Sequence, residues 1–173
     1  AELMSDELDQ PLLSIMWGDN TALLDETQYT QPAIFALQYA LTQLWTSLGV
    51  QAACVTGHSI GEYAAAVYSG VMSVEDAVKM ICARGRLMAS ECERGAMAAV
   101  FASAEETRNV IETLDSVIDI AAVNGPRNCV ISGEKPAVEQ AVALLSDENI
   151  KAKLLTVSHA FHSPIMQPML DKF

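Results

Sequence analysis

The strongest chemical signal in the sequence is the segment GHSIG at residues 57–61, a G-x-S-x-G pattern. It follows the apolar run ACVTG (53–57) and precedes an Ala-rich helical stretch (62–69), so Ser59 is predicted on a tight strand-to-helix turn. Such a turn projects the serine hydroxyl away from the sheet, and its glycines let neighbouring elements pass closer than a Cβ permits. At the start of the helix, the backbone N–H of Ile60 can stabilise an oxyanion. The alternative is a glycine-rich turn in which Ser59 is an ordinary helix cap.

A serine nucleophile needs a base, and the chain contains three histidines. His58 adjoins Ser59, so its side chain is expected to leave the turn in another direction and to act as a buried hydrogen-bonding group. His159 and His162 lie in the segment SHAFHS after the last predicted strand. Because catalytic groups are common on loops that follow strands, both are candidates for the base, and the residues alone leave the choice open.

Arg84 is the candidate for binding an anionic group. It lies in KMICARGRLM (79–88), inside a predicted helix, and its neighbours are Met80, Ile81, Leu87 and Met88. A guanidinium on an apolar helix face needs an acidic partner, either a side chain or a substrate carboxylate. Arg86, two residues on, should point elsewhere as a surface charge. The alternative is that Arg84 is itself a solvated surface residue.

The elements that must position these residues alternate between helix and strand. Pro32 suits the first turn of a helix over residues 31–49, in which Ile34, Leu37, Leu41, Leu44 and Leu48 recur at three- and four-residue steps. The run 53–57 is predicted to be a parallel, buried strand, and 62–69 a helix. A capping-box pattern at Ser73 opens a further helix that extends to about residue 93.

A different order begins after Gly95. The pattern predicts, in sequence, a strand (96–101), a helix (103–114), two strands (118–124 and 128–133), a helix (136–146) and a strand (151–157). This β-α-β-β-α-β order is that of a split-βαβ or ferredoxin-like unit. The fold class is therefore α/β. Residues 1–95 are expected to form the first part of an α/β body, 96–157 a compact subdomain, and 158–173 the return to the body.

The composition limits the possible partners. The chain has 173 residues, of which 51% are apolar and 18% charged, and this excludes a disordered chain. With 10 Lys and Arg against 22 Asp and Glu, the formal net charge is −12. That charge argues against binding to nucleic acid or to an anionic membrane surface. No segment approaches the ~20 apolar residues of a membrane span.

The cysteines indicate neither a disulfide framework nor a metal site. Cys54, Cys82, Cys92 and Cys129 form no CxxC pair, and no histidine lies at a zinc-like spacing from them. They are predicted to be reduced thiols that serve as small core residues. Because the acidic N-terminal sequence also lacks the order of a signal peptide, a cytoplasmic location is expected.

Three segments resemble a known family: TQPAIFALQYAL (30–41), the stretch 57–88, and HAFHSPIM (159–166). They are similar to the acyltransferase domains of modular polyketide synthases, relatives of the malonyl-CoA:acyl-carrier-protein transacylases of fatty acid synthesis. The resemblance runs from about Thr27 to Phe173 in the family's order and spacing. It implies an α/β-hydrolase-like body with an inserted ferredoxin-like (βαββαβ) subdomain.

The resemblance also implies roles for four residues. Ser59 matches the nucleophile that takes the acyl group from coenzyme A as an ester, and His162 matches the catalytic base. Arg84 matches the arginine that binds the free carboxylate of a malonyl-type unit, best as a bidentate pair. A site of this kind disfavours acetyl-CoA, which would leave the buried cation unpaired. Ile60 is expected to supply one oxyanion N–H.

Further residues bear on the choice of extender unit. The resemblance to malonyl-selective members lies in the HAFH segment, with His159 and Phe161, and in the branched Ile60 after the serine. Bulk near the α-carbon leaves no room for a methyl group. Because one methyl group discriminates by only about 1–3 kcal/mol, a preference for malonyl over methylmalonyl units is expected and not a complete exclusion. The alternative is that Phe161 only packs the core. Asn124 matches an asparagine near the active-site mouth, and His58 is expected to line the site.

The implied reaction transfers a malonyl unit from malonyl-CoA to the phosphopantetheine thiol of an acyl carrier protein, with no bound cofactor or metal. Family members have a Gly-Gln-Gly segment upstream, which supplies the second oxyanion donor, and continue past Phe173. The chain is therefore expected to be a fragment of a larger polypeptide, with other polyketide synthase domains as partners. Two alternatives remain: a serine esterase or thioesterase, with no role for Arg84, and a non-catalytic piece that only recruits the carrier protein.

Overall fold

The chain divides into two units, Ala1–Leu87 and Met88–Phe173. A computed structural model describes the backbone of residues 1–173 and every side chain except that of Thr21. No helix among the described residues is long and apolar enough to span a membrane.

The first unit is helical. Its helices are α1 (Leu12–Trp17), α2 (Thr27–Ser47), α3 (Gly61–Tyr68) and α4 (Val74–Glu91), whose last residues belong to the second unit, with short 3-10 segments at Glu2–Met4 and Thr21–Asp25. The buried side chains at its centre are Met4, Leu12, Ala33, Phe35, Ala77, Val78, Ile81 and Cys82. Helix α2 begins at Thr27, so Pro32 lies in its second turn and not in the first as predicted. The backbone N–H groups of Tyr29 and Thr30 donate to the carbonyl of Glu26, which starts the helix earlier.

The predicted buried strand at 53–57 is wrong. Residues 51–57 contain no strand, and residues 51–56 are exposed. A strand needs a neighbour for its backbone groups, and the four strands of the described chain all lie in the second unit. The Ala52 N–H instead donates to the Tyr68 hydroxyl at 2.8 Å.

The second unit forms a sheet covered by two helices. Its elements are β1 (Ala96–Val100), α5 (Ala104–Ile111), β2 (Ile118–Gly125), β3 (Asn128–Gly133), α6 (Lys135–Asp147), β4 (Ala152–Leu154) and a 3-10 segment (Pro164–Met169). All neighbouring strands are antiparallel, in the order β2-β3-β1-β4. The element order predicted for 96–157 is therefore present. Apolar residues of α5 and α6 pack on Ala98 and Ile131 of the sheet to form one core.

Exposure differs from the sequence pattern at two places in the first unit. The apolar stripe of α2 and its C-cap residue, namely Leu37, Leu41, Leu44, Trp45 and Leu48, is 46–67% exposed. Cys82, Cys92 and Cys129 are buried as predicted, but Cys54 is exposed because the strand expected to bury it does not form.

Candidate active site

Ser59 lies on a tight turn that leads into α3. Its φ is +51°, a left-handed backbone conformation that is uncommon for a residue other than glycine. The turn is closed by the N–H of Gly61, which donates to the carbonyl of His58 at 2.9 Å, and by the N–H of Glu62, which donates to that of Ser59 at 3.1 Å. Strained backbone at a serine before a helix is the geometry that the G-x-S-x-G pattern predicts.

The two glycines of the motif play different parts. A Cβ on Gly57 would lie 2.1 Å from the backbone nitrogen of Glu62, so no side chain fits there. A Cβ on Gly61 would lie 3.6 Å from Gln38 Nε2, an ordinary van der Waals contact. The expectation that both glycines are required by close approach is therefore right for Gly57 and wrong for Gly61. The Gly57 N–H also donates to Glu62 Oε1 at 3.3 Å, which ties the start of the turn to α3.

The backbone N–H of Ile60 makes no hydrogen bond to any described residue. Since the next N–H groups, from Gly61 onward, are taken up by the turn and the helix, Ile60 provides the available donor beside Ser59. This arrangement suits an oxyanion. The Ile60 side chain is half-buried and packs against the central cluster of the first unit.

His58 lies on the rim of a groove of about 690 Å³ between α2, α3 and the segment 50–58. The expectation of a buried His58 is wrong, because residues 51–56 form no strand to cover it and its ring is exposed. Ser59 is not among the described residues that line the groove.

Arg84 is half-buried on α4. Its Nη1 donates to the amide oxygen of Gln31 on α2. Burial lowers the pKa of the guanidinium, and the nearby Tyr63 acts in the opposite direction. No carboxylate forms an ion pair with Arg84 among the described residues. A half-buried cation with a neutral partner is suited to bind an anion.

The histidines of HAFH lie in the second unit and differ in exposure. His159 is 2% exposed, and its Nδ1 lies 2.9 Å from Ser158 Oγ. Phe161 is half-buried, with its ring centroid 6.1 Å from that of His159. His162 is exposed and has a φ of +58°. The following Ser163 donates through Oγ to the carbonyl of Ala160 at 2.7 Å, which holds this sharp turn.

Asn124 lies near the end of β2, and its side chain is exposed. The register between β2 and β3 shifts between Val123 and Gly125, so Asn124 occupies an irregularity in the strand pairing. Irregularities of this kind redirect a side chain away from the regular alternation of a strand.

The predicted site residues thus fall into two groups. Ser59, Ile60, His58 and Arg84 belong to the first unit, whereas Asn124, His159, Phe161 and His162 belong to the second. Within the first unit, Ile60 and Tyr63 pack on the cluster to which α4 contributes, so α3 and α4 are held together. The pairing of Ser59 with a histidine stays a prediction. No group of three metal-ligating side chains occurs among the described residues.

Comparison with known proteins identifies the family. Residues 1–173 match the family model described as the acyl transferase domain. The chain belongs to the acyltransferase domain family. It is 47% identical over 171 residues to a mycoketide-CoA synthase of Mycobacterium tuberculosis, covering 96% of the chain and 4% of that protein. It is 43% identical over 176 residues to a phenolphthiocerol synthesis polyketide synthase of Mycobacterium marinum, covering 99% and 8%.

Solved structures agree with this membership. The acyltransferase domain from the second module of the salinomycin polyketide synthase superposes with a TM-score of 0.89 at 44% identity, covering 99% of this chain and 40% of that one. The malonyl CoA-acyl carrier protein transacylase of Clostridium perfringens gives a TM-score of 0.84 at 32% identity, covering 99% and 56%. This acyltransferase chain therefore spans about half or less of the length of these structures.

Sequence reasoning missed two polar residues, Thr27 and Gln31, that are hydrogen-bonded to each other and, through Gln31, to Arg84. Both are nearly fully buried on α2, at 1% and 6% exposure, and Gln31 contacts Arg84. A signal was present, because two polar residues spaced i, i+4 share one helix face. That face could not be recognised as buried without the packing of α4 against α2.

Proposed function

We propose that this acyltransferase domain transfers a malonyl group from malonyl-CoA to the phosphopantetheine thiol of an acyl carrier protein, through an ester on Ser59. The observation that carries the proposal is the combination, within one unit, of the strained Ser59 turn, the available N–H of Ile60 and the half-buried Arg84. The names of the transacylase and polyketide synthase relatives support the substrate class.

The first half-reaction acylates the enzyme. His162 takes the proton from Ser59 as Oγ attacks the thioester carbonyl, and the N–H of Ile60 stabilises the oxyanion. Collapse of the tetrahedral intermediate breaks the C–S bond, and the proton passes from His162 to the departing sulfur of coenzyme A. Exposure of His162, against 2% for His159, supports His162 as the base.

The second half-reaction reverses these steps with a new thiol. His162 takes the proton of the phosphopantetheine thiol, whose sulfur attacks the Ser59 ester. The C–O bond breaks, and the proton returns from His162 to Ser59 Oγ. Arg84 holds the free malonyl carboxylate in both halves, which keeps the acyl group oriented while the thiols exchange.

Selectivity among extender units is assigned to residues near the acyl chain. We place Phe161, Ile60 and His159 beside the α-carbon, where bulk disfavours a methyl branch by about 1–3 kcal/mol. Asn124 and His58 are proposed to line the approach. Packing of Ile60 on the core supports a rigid wall at that position.

The domain arrangement follows from the same proposal. Residues 1–95 and 158–173 belong to an α/β-hydrolase-like body, and 96–157 form a ferredoxin-like subdomain inserted into it. The β2-β3-β1-β4 antiparallel order supports the ferredoxin-like assignment. Further polyketide synthase domains and an acyl carrier protein are the proposed partners, in the cytoplasm.

The test is acylation of the full-length protein by radiolabelled malonyl-CoA, with peptide mass spectrometry to locate the adduct. We expect a malonyl ester on Ser59 that Ser59→Ala removes. Arg84→Ala should lower malonyl loading by about 10²-fold, since it removes one partner of a desolvated charge pair, while loading of acyl groups without a carboxylate is spared.

The matched control is Arg86→Ala, because Arg86 is an exposed arginine on the same helix. It should load malonyl groups normally. An unmodified Ser59 would contradict the proposal and favour a carrier-protein docking role. Equal losses of both acyl classes in Arg84→Ala would refute the carboxylate site, and hydrolysis without transfer would indicate an esterase.

A further inference from the structure

Arg84 is held by a short chain of polar groups that begins at the first turn of α2. Gln31 Nε2 donates to Thr27 Oγ1 at 2.7 Å, and Gln31 Oε1 accepts from Arg84 Nη1. Thr27 and Gln31 are 1% and 6% exposed. Buried polar atoms are costly unless they are hydrogen-bonded, so each link in this chain stabilises the next.

The chemistry of the three side chains determines the orientation of the amide. A guanidinium has only donors, so Gln31 must present its oxygen to Arg84. The amide nitrogen then faces Thr27, whose hydroxyl accepts its hydrogen bond. Arg84 therefore sets which end of the amide faces it, and Thr27 anchors the other end by accepting the hydrogen bond from Nε2.

Close helix packing brings the two elements together. A Cβ on Gly85, the residue after Arg84, would lie 3.0 Å from both Gln28 Cα and the Thr27 carbonyl oxygen. Helix α4 thus approaches the first turn of α2 at a residue without a side chain. This approach puts the Arg84 side chain within reach of Gln31.

We propose that Gln31, anchored by Thr27, positions Arg84 and sets the preference for acyl groups with a free carboxylate. The inference rests on the proposed function. Its physical basis is that a neutral amide fixes the guanidinium without neutralising it, so that the charge remains for the substrate. A carboxylate at position 31 would instead pair with Arg84 and occupy the site that the malonyl group needs.

Gln31→Glu in the full-length protein tests the charge argument. We expect kcat/KM for malonyl transfer to fall by roughly 10- to 100-fold, mainly through KM, since a charge-assisted hydrogen bond to substrate is lost. The matched control is Gln43→Glu, which makes the same change at an exposed position of the same helix. It should leave kcat/KM within about twofold, as expected for a surface substitution.

A double-mutant cycle separates positioning from a general structural role. Gln31→Met keeps a similar volume but removes the acceptor, and it should lower malonyl kcat/KM by about 10-fold. In an Arg84→Ala background the same substitution should have no further effect, because residues that act through each other are not additive. Thr27→Val should give a smaller loss than Gln31→Met, and Thr27→Ser should restore wild-type activity.

The outcomes distinguish this inference from the proposed function. If the wild-type protein forms the malonyl ester on Ser59 but Gln31→Glu matches it in kcat/KM, the inference fails and the function stands. A loss in Gln31→Met that persists in the Arg84→Ala background also overturns it, since the role is then structural. A wild-type protein that forms no Ser59 ester overturns both.

Discussion

The two units of the chain differ in how completely they bury their apolar side chains. In the second unit, four strands and two helices bury a continuous core in which Leu145 and Ile131 are fully inaccessible. In the first unit, α2 leaves leucines along one face 46–67% exposed, and the segment 51–57 pairs with no strand. The first unit carries the proposed nucleophile and carboxylate site, whereas the second completes its own sheet.

The difference shows how far each unit depends on partners within the chain. Every strand of the second unit pairs with at least one neighbouring strand within residues 96–154. Among the described residues, none supplies a strand beside residues 53–57. The proposed nucleophile and carboxylate site therefore belong to the unit whose apolar residues are less fully buried, whereas the proposed base His162 belongs to the other unit.

The largest expected effect is on stability, and it is measured by comparing a leucine-to-alanine substitution in each of the two units. Leu145→Ala should lower the free energy of unfolding by about 2–5 kcal/mol, because it opens a cavity in the core of the second unit. Leu41→Ala, at a site 46% exposed on α2, should change it by less than about 0.5 kcal/mol. Urea unfolding of both variants provides the measurement. A cost at Leu41 close to that at Leu145 would show that the exposed face of α2 is covered.

The next effect concerns the serine turn of the first unit. Gly57→Ala should destabilise the fold by roughly 1–3 kcal/mol and remove acylation of Ser59, because its Cβ meets backbone at 2.1 Å. Gly61→Ala serves as the control and should be tolerated, since its Cβ has 3.6 Å to Gln38. Thermal unfolding and Ser59 labelling are measured together. Indistinguishable behaviour of the two variants would contradict the asymmetry of the motif.

The smallest effect compares helix caps. Ser103 accepts from the Glu106 N–H at 3.2 Å, and its own N–H donates to Glu106 Oε2 at 2.8 Å. Ser73 accepts from the Asp76 N–H at 3.0 Å. Ser103→Ala should cost roughly 0.5–2 kcal/mol in urea unfolding, and Ser73→Ala less, because the box at Ser103 satisfies two donors.

This cap should also respond to pH. The side chain and backbone of Ser103 lower the pKa of the Glu106 carboxyl, so its ionised form favours the folded state. That contribution is complete above the unfolded pKa of about 4.3 and is lost as the pH falls through the lowered folded value. The stability difference between wild type and Ser103→Ala should therefore shrink in acid. A difference that stays constant from pH 7 into that range would count against the role of Glu106.

Much of the second unit could be predicted from sequence because its signals are local. The Ser103–Glu106 box and the alternation of strands with an amphipathic α6 act over a few residues, and each agrees with the structure. The prediction of a strand at 53–57 was wrong because its signal depends on a distant neighbour and not on local interactions. An apolar run forms a strand only if another strand lies beside it, and the local sequence does not show whether such a neighbour exists.

For the site, residue types and spacing identified Ser59, Arg84 and the pair His159 and His162 as candidates, together with the turn that carries Ser59. The contacts of Arg84 within the protein were beyond the sequence, which indicated an acidic side chain or a substrate carboxylate as its partner and gave no sign of Gln31. The reason is that an i, i+4 pair such as Thr27 and Gln31 looks the same on a buried and on an exposed helix face. Only the packing of α4 on α2 distinguishes them.

By itself, the sequence determined the helix periods, the caps, the strained serine turn and the family to which the chain belongs. These depend on interactions between residues close in the chain. The tertiary structure decided which glycine of the motif is indispensable, which face of α2 is buried and what holds Arg84. Each of these depends on atoms from distant segments meeting at a few ångströms, and such contacts are set by the packing of whole elements.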